Sequence, residues 1–323
     1  MKAAIQTAYG GPDVVVVSDI AKPVPKDGEV LVRIVATTVT SGDARLRAFR
    51  VPAAFWLPAR LFLGISKPRK AVLGSEFAGL VEAVGAKVTR FRPGDRVFGM
   101  HVYDAHAEYK TVPEGAAITI MPDKLDFAEA AVLPFGALTA LFFLQRAGIK
   151  PGMRVLVNGA SGAVGTFGVQ LARHFGAQVT AVTSAGNADL VRSLGADTVL
   201  DYAAEDFSLS GARYDVIMDT VDTVSVAQFR RASTADGKLL AVNGGGGMFL
   251  RAPMQPLFGK RRIAVGMATE TLDDLEIISA LAASGAIRAT IDRRVPLARI
   301  AEAHALVDSG RKRGAVVVDV TSP

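Results

Sequence analysis

Apolar positions along the chain follow two rhythms. In the first third, Glu29–Ala36 (EVLVRIVA), Gly79–Val84 (GLVEAV) and Arg96–Phe98 are short runs rich in β-branched residues, separated by the turn signals PKDG, VGAK and RPGD. This predicts short strands in an irregular antiparallel barrel. From about Phe127 strands alternate with helices. Arg154–Asn158, Gln178–Thr183, Thr198–Leu200, Asp215–Asp219, Lys238–Val242 and Arg262–Gly266 read as strands; Val164–Phe175, Ala188–Leu194 and Val226–Ala232 read as helices. Such alternation implies a parallel sheet covered on both faces. The tail breaks the rhythm with two helical patterns, Asp273–Ala283 and Leu297–Ser309, and a strand, Ala315–Asp319. It reads as a return to the first domain. The expected division is therefore residues 1–126 plus 268–323 in one domain, with 127–267 inserted as the other.

Composition narrows the class. A chain of 323 residues exceeds one ordinary core, which suits two domains. Half of it is hydrophobic and 21% is charged, the balance of a soluble globular enzyme. The most apolar segment, Ala130–Leu144, is shorter than the roughly 20 residues of a membrane span. It also carries Pro134, so it reads as a buried helix and no membrane span is expected. The first residues, MKAAIQTAYGGPDVVVV, lack the apolar run of a signal peptide. The absence of cysteine excludes disulfides and thiolate metal sites and suits a cytoplasmic location. The net charge of +6 is mostly dispersed, with short clusters at Lys67–Lys70, Gly259–Arg262 and Arg311–Arg313. Clusters of this size are usually solvated surface, so no nucleic-acid partner is expected; a dinucleotide phosphate is a smaller anion that the same charge would serve.

Candidate chemistry begins at NGASGAVG (Asn158–Gly165), which sits between a strand and a helix inside a strand–helix–strand unit. A dinucleotide loop needs a tight turn, a residue without Cβ facing the pyrophosphate, and close helix packing. Aligned as A-x-G-x-x-G, the segment puts Ala160 at the turn, Gly162 at the phosphate and Gly165 under the helix. Ser161, Gly162, Ala163 and Val164 then line the pyrophosphate, where helix N–H groups meet negative charge. An NAD site places an acid about 20 residues further on, to hold the ribose 2′-hydroxyl. Positions 182–186 hold none, which favours NADPH over NADH. Ser184, Asn187 and Tyr202 should surround the adenosine ribose. Thr220 and Val221, and Asn243, Gly244 and Gly245, follow two further strands at the edge where such sheets bind ligands, and Thr139 opens a helix on the nicotinamide side.

At this point the chain resembles the medium-chain dehydrogenase/reductase superfamily over nearly its full length. The resemblance rests on Val72–Gly85 (VLGSEFAGLVEAVG), Arg90–Gly99, Ala128–Leu141, the glycine loop, Leu190–Tyr202 and Ile291–Gly310. It implies an α/β protein with a GroES-like irregular β-barrel catalytic domain and a Rossmann doubly wound parallel-sheet domain. Zinc alcohol dehydrogenases of the superfamily draw catalytic ligands from three positions, which here read Thr40, Ser75 and Phe135. That set is a poor zinc site, so no zinc is expected. Within the zinc-free members the chain is most similar to the quinone oxidoreductase and alkenal/enone reductase group. The resemblance implies an NADPH-dependent, metal-free oxidoreductase passing hydride to quinones or α,β-unsaturated carbonyls. Val39–Arg47 (VTSGDARLR) aligns with that group's N-P-x-D-x-K-x-R segment, with Thr40 in place of Asn and Arg45 in place of Lys. Gly186 replaces the Arg common in the relatives' cofactor turn.

Thr40, Asp43 and Arg45 are thus the catalytic candidates; the alternative for Asp43 is capping of the helix that follows. His101 and His106 read as surface or structural, and His174 and His304 fall in helices. Ala54–Gly64 (AFWLPARLFLG) is open to four readings: a lid over an apolar substrate pocket, a homodimer contact, a membrane-touching surface, or core packing. Phe55 and Trp56, with Met248 and Phe249 in GGGGMFLR, are the substrate-contact candidates, and the substrate is expected to be a small lipophilic carbonyl or quinone. The rival reading is a non-catalytic NADPH-binding protein with a nucleic-acid or membrane-surface role.

Overall fold

In the computed structural model, residues 1–51, 55–242, 261–266 and 268–322 are described. Asn243, Gly244, Gly245, Met248 and Phe249 lie outside the described residues. The chain forms two units, Met1–Phe135 with Glu270–Pro323, and Gly136–Thr269.

The first unit is organised by strand β3 (Glu29–Val39), whose near-continuous apolar run is explained by its partners. It pairs antiparallel with β4 (Glu76–Val84), β6 (Tyr109–Pro113) and β15 (Ala315–Asp319). β5 (Arg96–Met100) and β7 (Ala117–Ile120) extend one side of this sheet, and β14 (Ile291–Pro296) closes the other. Two register shifts between β3 and β4, at Leu31/Val32 and Ile34/Ala36, add the local bend a curved sheet needs. Val30, Val32 and Ile34 pack with Phe77, Val81, Val97, Val112 and Ile118 to fill the interior. β14 runs parallel to β15, so the barrel is mixed rather than wholly antiparallel. The sequence hid β14 because Asp292, Arg293 and Arg294 are exposed on an edge strand, where apolar alternation is not required. β1 (Lys2–Gln6) and β2 (Val15–Asp19) form a separate antiparallel pair.

The second unit is a six-stranded, all-parallel sheet in the order β10-β9-β8-β11-β12-β13. These are Thr198–Asp201, Gln178–Thr183, Arg154–Asn158, Tyr214–Asp219, Ser233–Ala241 and Arg262–Val265. The order reverses at β8, which makes its C-terminal end and that of β11 the topological switch point. The apolar stretch Phe127–Ala147 is one continuous and mostly buried helical run: α3 (Phe127–Leu133), a π turn over Pro134–Leu138, and α4 (Thr139–Ala147). The π turn lies where Pro134 has no N–H to give the helix. Asp126 and Glu129 close a capping box at its start. Helices α5 (Ala163–His174), α6 (Ala188–Ser193) and α7 (Val226–Ala232) lie between successive strands of the sheet.

In the first unit, helix α9 (Ile300–Asp308) turns Ile300, Ala303, His304 and Val307 inward at helical spacing. α8 (Leu272–Ala283) packs by β7. His304 is fully buried with its ring edge-on to that of His106, 5.6 Å away. Neither of its ring nitrogens has a partner among the described residues. Burial holds its pKa down to about 2, reinforced by His106 and Arg47. The folded pKa lies below the ordinary 6.5, so the unfolded chain takes the proton first as pH falls. Stability from this residue is therefore complete above pH 6.5 and is lost below it, at up to about 1.4 kcal/mol per pH unit. His304→Leu should raise the unfolding free energy near pH 7 by about 1 kcal/mol and flatten the acid side of the profile. Urea denaturation between pH 5 and 8 measures both, and an unchanged acid slope would show that His304 does not set it.

Candidate functional site

The cradle in the second unit is built on backbone geometry. Gly159, the first residue after β8, has φ +78°, and a Cβ there would lie 2.5 Å from the Thr220 Oγ1 and 2.6 Å from Val221. The tight turn belongs to Gly159, which corrects the placing of Ala160 at that position. Ala160 is fully buried and contributes packing rather than an exposed lining. The working spacing is G-x-x-G-x-x-G over Gly159, Gly162 and Gly165. Gly162 caps helix α5 with no side-chain acceptor on the first-turn N–H groups. A Cβ at Gly162 would meet only the Gly159 carbonyl, at 3.4 Å, so the space above it is open. At Gly165 it would strike that carbonyl at 2.1 Å, so this glycine brings helix and strand together. Ser161, Ala163 and Val164 are half-buried around the opening.

A polar cluster lies beside the cradle at the ends of β8 and β9. The Ser161 hydroxyl accepts from Thr183 Oγ1 at 2.9 Å and from Asn187 Nδ2 at 3.0 Å. The Asn187 amide also reaches Ser184 Oγ at 3.1 Å. Ser161, Ser184 and Asn187 are thus brought together, along with Thr183, which the sequence reading missed. Tyr202, 66% exposed, joins this edge through its N–H to the Thr183 carbonyl at 3.2 Å. No carboxylate stands among residues 184–187. Arg192 is held in an exposed pair with Asp189 at 3.1 Å.

At the switch point itself, Asp219 is buried, and its carboxylate accepts from Asn158 Nδ2 (3.0 Å), Val221 N–H (3.2 Å) and Val224 N–H (2.8 Å). Thr220 turns its hydroxyl back onto the carbonyls of Asn158 and Gly159, at 2.8 and 3.2 Å. Asp219 and Thr220 therefore brace the cradle, while Val221 is exposed beside it. Thr139, half-buried, begins α4.

In the first unit the candidates Thr40 and Asp43 are both buried at the start of α1 (Ser41–Arg47). Thr40 Oγ1 accepts from the Asp43 N–H at 3.1 Å and donates to Asp43 Oδ2 at 2.7 Å. Asp43 also accepts from the N–H groups of Thr40 (2.8 Å) and Gly74 (3.1 Å). The capping reading of Asp43 is thus what its contacts show, with Thr40 as N-cap and Asp43 three residues on. Arg45 is exposed on the same helix.

Next to this cap lies Glu76, 2% exposed, whose carboxyl accepts from the Phe135 N–H at 2.6 Å and from the Thr38 hydroxyl. Burial pushes its pKa up to about 8; the Thr38 and Phe135 bonds oppose the rise, Asp43 adds to it, and Lys312 opposes it. Burial also holds Lys312 down to about 8, against the pull of Glu76 and Asp292. His106 is fully buried with Nε2 2.9 Å from the Thr38 carbonyl, a structural placement, and burial lowers its pKa. Lys110, also buried, donates to the carbonyls of His101 (2.5 Å) and Tyr103, and burial brings its pKa down to about 7. Among the described residues no three His, Cys, Asp or Glu gather as a metal group. Phe135 offers no ligand atom in its side chain, and Thr40 Oγ1 is already engaged by Asp43.

Phe55 and Trp56 are about half exposed at the start of α2 (Trp56–Leu63), a helix with no buried residue, so the segment is not core. Glu76, Asp219, Asn158 and Thr183 escaped the sequence reading. Their signal was a polar residue inside or at the end of an apolar strand, which by itself does not say what satisfies it.

The two loop glycines should respond differently to substitution. Gly162→Val should leave the unfolding free energy within about 1 kcal/mol of wild type, yet weaken reduced-dinucleotide binding more than about a hundredfold by filling the cradle. Gly165→Ala should instead cost about 2–3 kcal/mol of stability, because its Cβ meets backbone. Urea denaturation and a fluorescence titration separate the two effects. Retained binding by the valine variant would displace the cradle from Gly162.

Comparison with known proteins agrees with this architecture. The alcohol dehydrogenase GroES-like domain family matches residues 26–139, and the zinc-binding dehydrogenase family matches residues 194–318. A 2-methylene-furan-3-one reductase of Solanum lycopersicum is 32% identical, over 98% of this chain and 79% of the relative. An NADPH-dependent alkenal/one oxidoreductase, chloroplastic, of Arabidopsis thaliana is 31% identical over the same shares. The solved structure of the quinone oxidoreductase from Coxiella burnetii superposes with a TM-score of 0.87 at 27% identity, covering 99% of each chain. The chain belongs to the medium-chain dehydrogenase/reductase superfamily, in its quinone oxidoreductase and alkenal/one reductase group.

Proposed function

We propose that the protein is an NADPH-dependent, zinc-independent oxidoreductase that reduces quinones or α,β-unsaturated carbonyls. The observation that carries the reading is the open glycine cradle at the switch point, beside a carboxylate-free cluster of Ser161, Thr183, Ser184 and Asn187. The names of the relatives, an NADPH-dependent alkenal/one oxidoreductase among them, support the cofactor and the acceptor class.

The dinucleotide, when bound, supplies the hydride. The chain's part is to hold it and to shape the acceptor's surroundings. First-turn N–H groups of α5, left without a side-chain cap at Gly162, suit the pyrophosphate charge. Ser161 and Ser184, whose hydroxyls accept from Asn187 and keep their own hydrogens, supply donors for a 2′-phosphate, with Asn187 orienting both in a turn free of carboxylate repulsion. Of the three catalytic candidates only Arg45 is exposed, while Thr40 and Asp43 are bonded to each other and fix the helix that carries it. For an enone the balance is hydride to the β-carbon and a proton to the α-carbon; for a quinone it is hydride and a proton to give the hydroquinone. Such acceptors are already electron-poor, so they require less electrophilic assistance than a simple ketone. We also place the protein in the cytoplasm, on the absence of cysteine.

The test is oxidation of NADPH, with NADH alongside, against quinones, alkenals, enones and simple ketones, with and without a chelator. Turnover of the activated acceptors alone, indifferent to chelator, is expected. Loss on chelation would overturn the zinc-free reading, and tight NADPH binding without turnover of any acceptor would favour a non-catalytic role. Asn187→Asp should weaken NADPH at least about tenfold while changing NADH little, since only the former brings a 2′-phosphate to the new charge. Equal losses for both cofactors would place the phosphate elsewhere.

A further inference from the structure

Helix α2 is amphipathic the wrong way round for a core helix. Its inner side is held by Arg60, whose guanidinium lies 3.9 Å from the Phe49 ring centroid, 4.7 Å from that of Tyr9 and 5.2 Å from that of Trp56. Its outer side carries Leu57, Pro58, Leu61 and Phe62, all exposed, with Leu61 at 55% and Phe62 at 77%. Phe55, Trp56 and Ile65 are exposed with them. No comparable run of exposed large apolar side chains occurs elsewhere among the described residues.

Charge is concentrated in the same place. Between Asp43 and Glu76 the sequence has seven Lys and Arg and no Asp or Glu, against a net charge of +6 for the entire chain. Of these, Arg47 is buried against Asp308 and Arg50 is paired with the same carboxylate, while Arg45, Lys67, Arg69 and Lys70 are exposed. Gly64, at φ +125° and with the Lys67 carbonyl 2.1 Å from where a Cβ would sit, turns the chain back at the end of α2. The turn sets exposed Lys67, Arg69 and Lys70 directly after the apolar helix.

We propose that this face docks on an anionic lipid bilayer, with the outer side of α2 in the interfacial region and Lys67, Arg69 and Lys70 against the headgroups. An apolar helical face flanked by cations is what such a surface takes up. A symmetric dimer through this face would set these cations against their own copies, with no acid in the stretch to offset them. Nucleic acid would satisfy the cations and leave Leu57, Leu61 and Phe62 in water. The inference is independent of which acceptor the enzyme reduces.

Trp56 is the only tryptophan in the chain, so intrinsic tryptophan emission reports on this helix alone. Full-length protein is mixed with vesicles of phosphatidylcholine, or of phosphatidylcholine with phosphatidylglycerol, and followed by co-sedimentation and Trp56 emission. Binding to the anionic vesicles with a blue shift is expected, at least about tenfold stronger than to neutral ones, since each cation near the surface contributes about a fivefold factor. Leu61→Gln/Phe62→Gln and Lys67→Glu/Lys70→Glu, all at exposed positions, should each lower that binding about tenfold or more while leaving the melting temperature near wild type. The proposal is overturned by absence of binding, by equal binding to neutral vesicles, by binding without an emission shift, or by variants that bind like wild type. A dimer in size-exclusion chromatography that Leu61→Gln/Phe62→Gln dissociates, with vesicles ignored, would assign the face to a second copy instead.

Discussion

Two carboxylates taken out of water hold the first unit together around its central strand. An ionisable group in the interior is tolerated only when hydrogen bonds occupy its oxygens or a proton neutralises it. Asp43 takes the first course, accepting from Thr40 and Gly74 and so joining the start of α1 to the segment before β4. Glu76 combines both: it accepts from Thr38 and Phe135, and burial shifts it toward the protonated form. Between them they fix the end of β3, the start of β4 and the end of α3. Arg47 completes the framework, fully buried, with Nη2 2.5 Å from Asp308 on α9 and Nε 3.2 Å from the Gly10 carbonyl.

This bears on the positions where related zinc enzymes place metal ligands. Thr40, Ser75 and Phe135 lie beside or are bonded to the two carboxylates. Thr40 serves Asp43, and the backbone of Phe135 serves Glu76. Fixed hydrogen bonds to the backbone thus organise the region.

The parallel sheet was legible because its signals are local. β-branched runs, glycine spacing and strand–helix alternation all act over a few residues, and the strands of the second unit follow them closely. The exact turn was less legible: NGASGAVG holds three glycines, and only the φ of Gly159 shows which makes the bend. β14 was invisible because a polar edge strand is defined by its neighbour β15. α2 was ambiguous because apolar composition measures what a side chain would gain from burial, not whether anything covers it. Asp43 and Glu76 find partners 31 and 59 residues away, a relation that no spacing rule reveals.

The pairing of β15 with β3 sets an order of events during synthesis. Val316 faces Val39 across that ladder, so the sheet of the first unit lacks a strand until residues 315–319 have emerged from the ribosome. The second unit lies wholly between those two strands in sequence and has all its own strands earlier. It can therefore fold while the Ala36–Val39 edge of β3 is still unpaired. Until β15 arrives those four residues offer free backbone donors and acceptors, so the order of the strands sets how long that edge stays open to other partners.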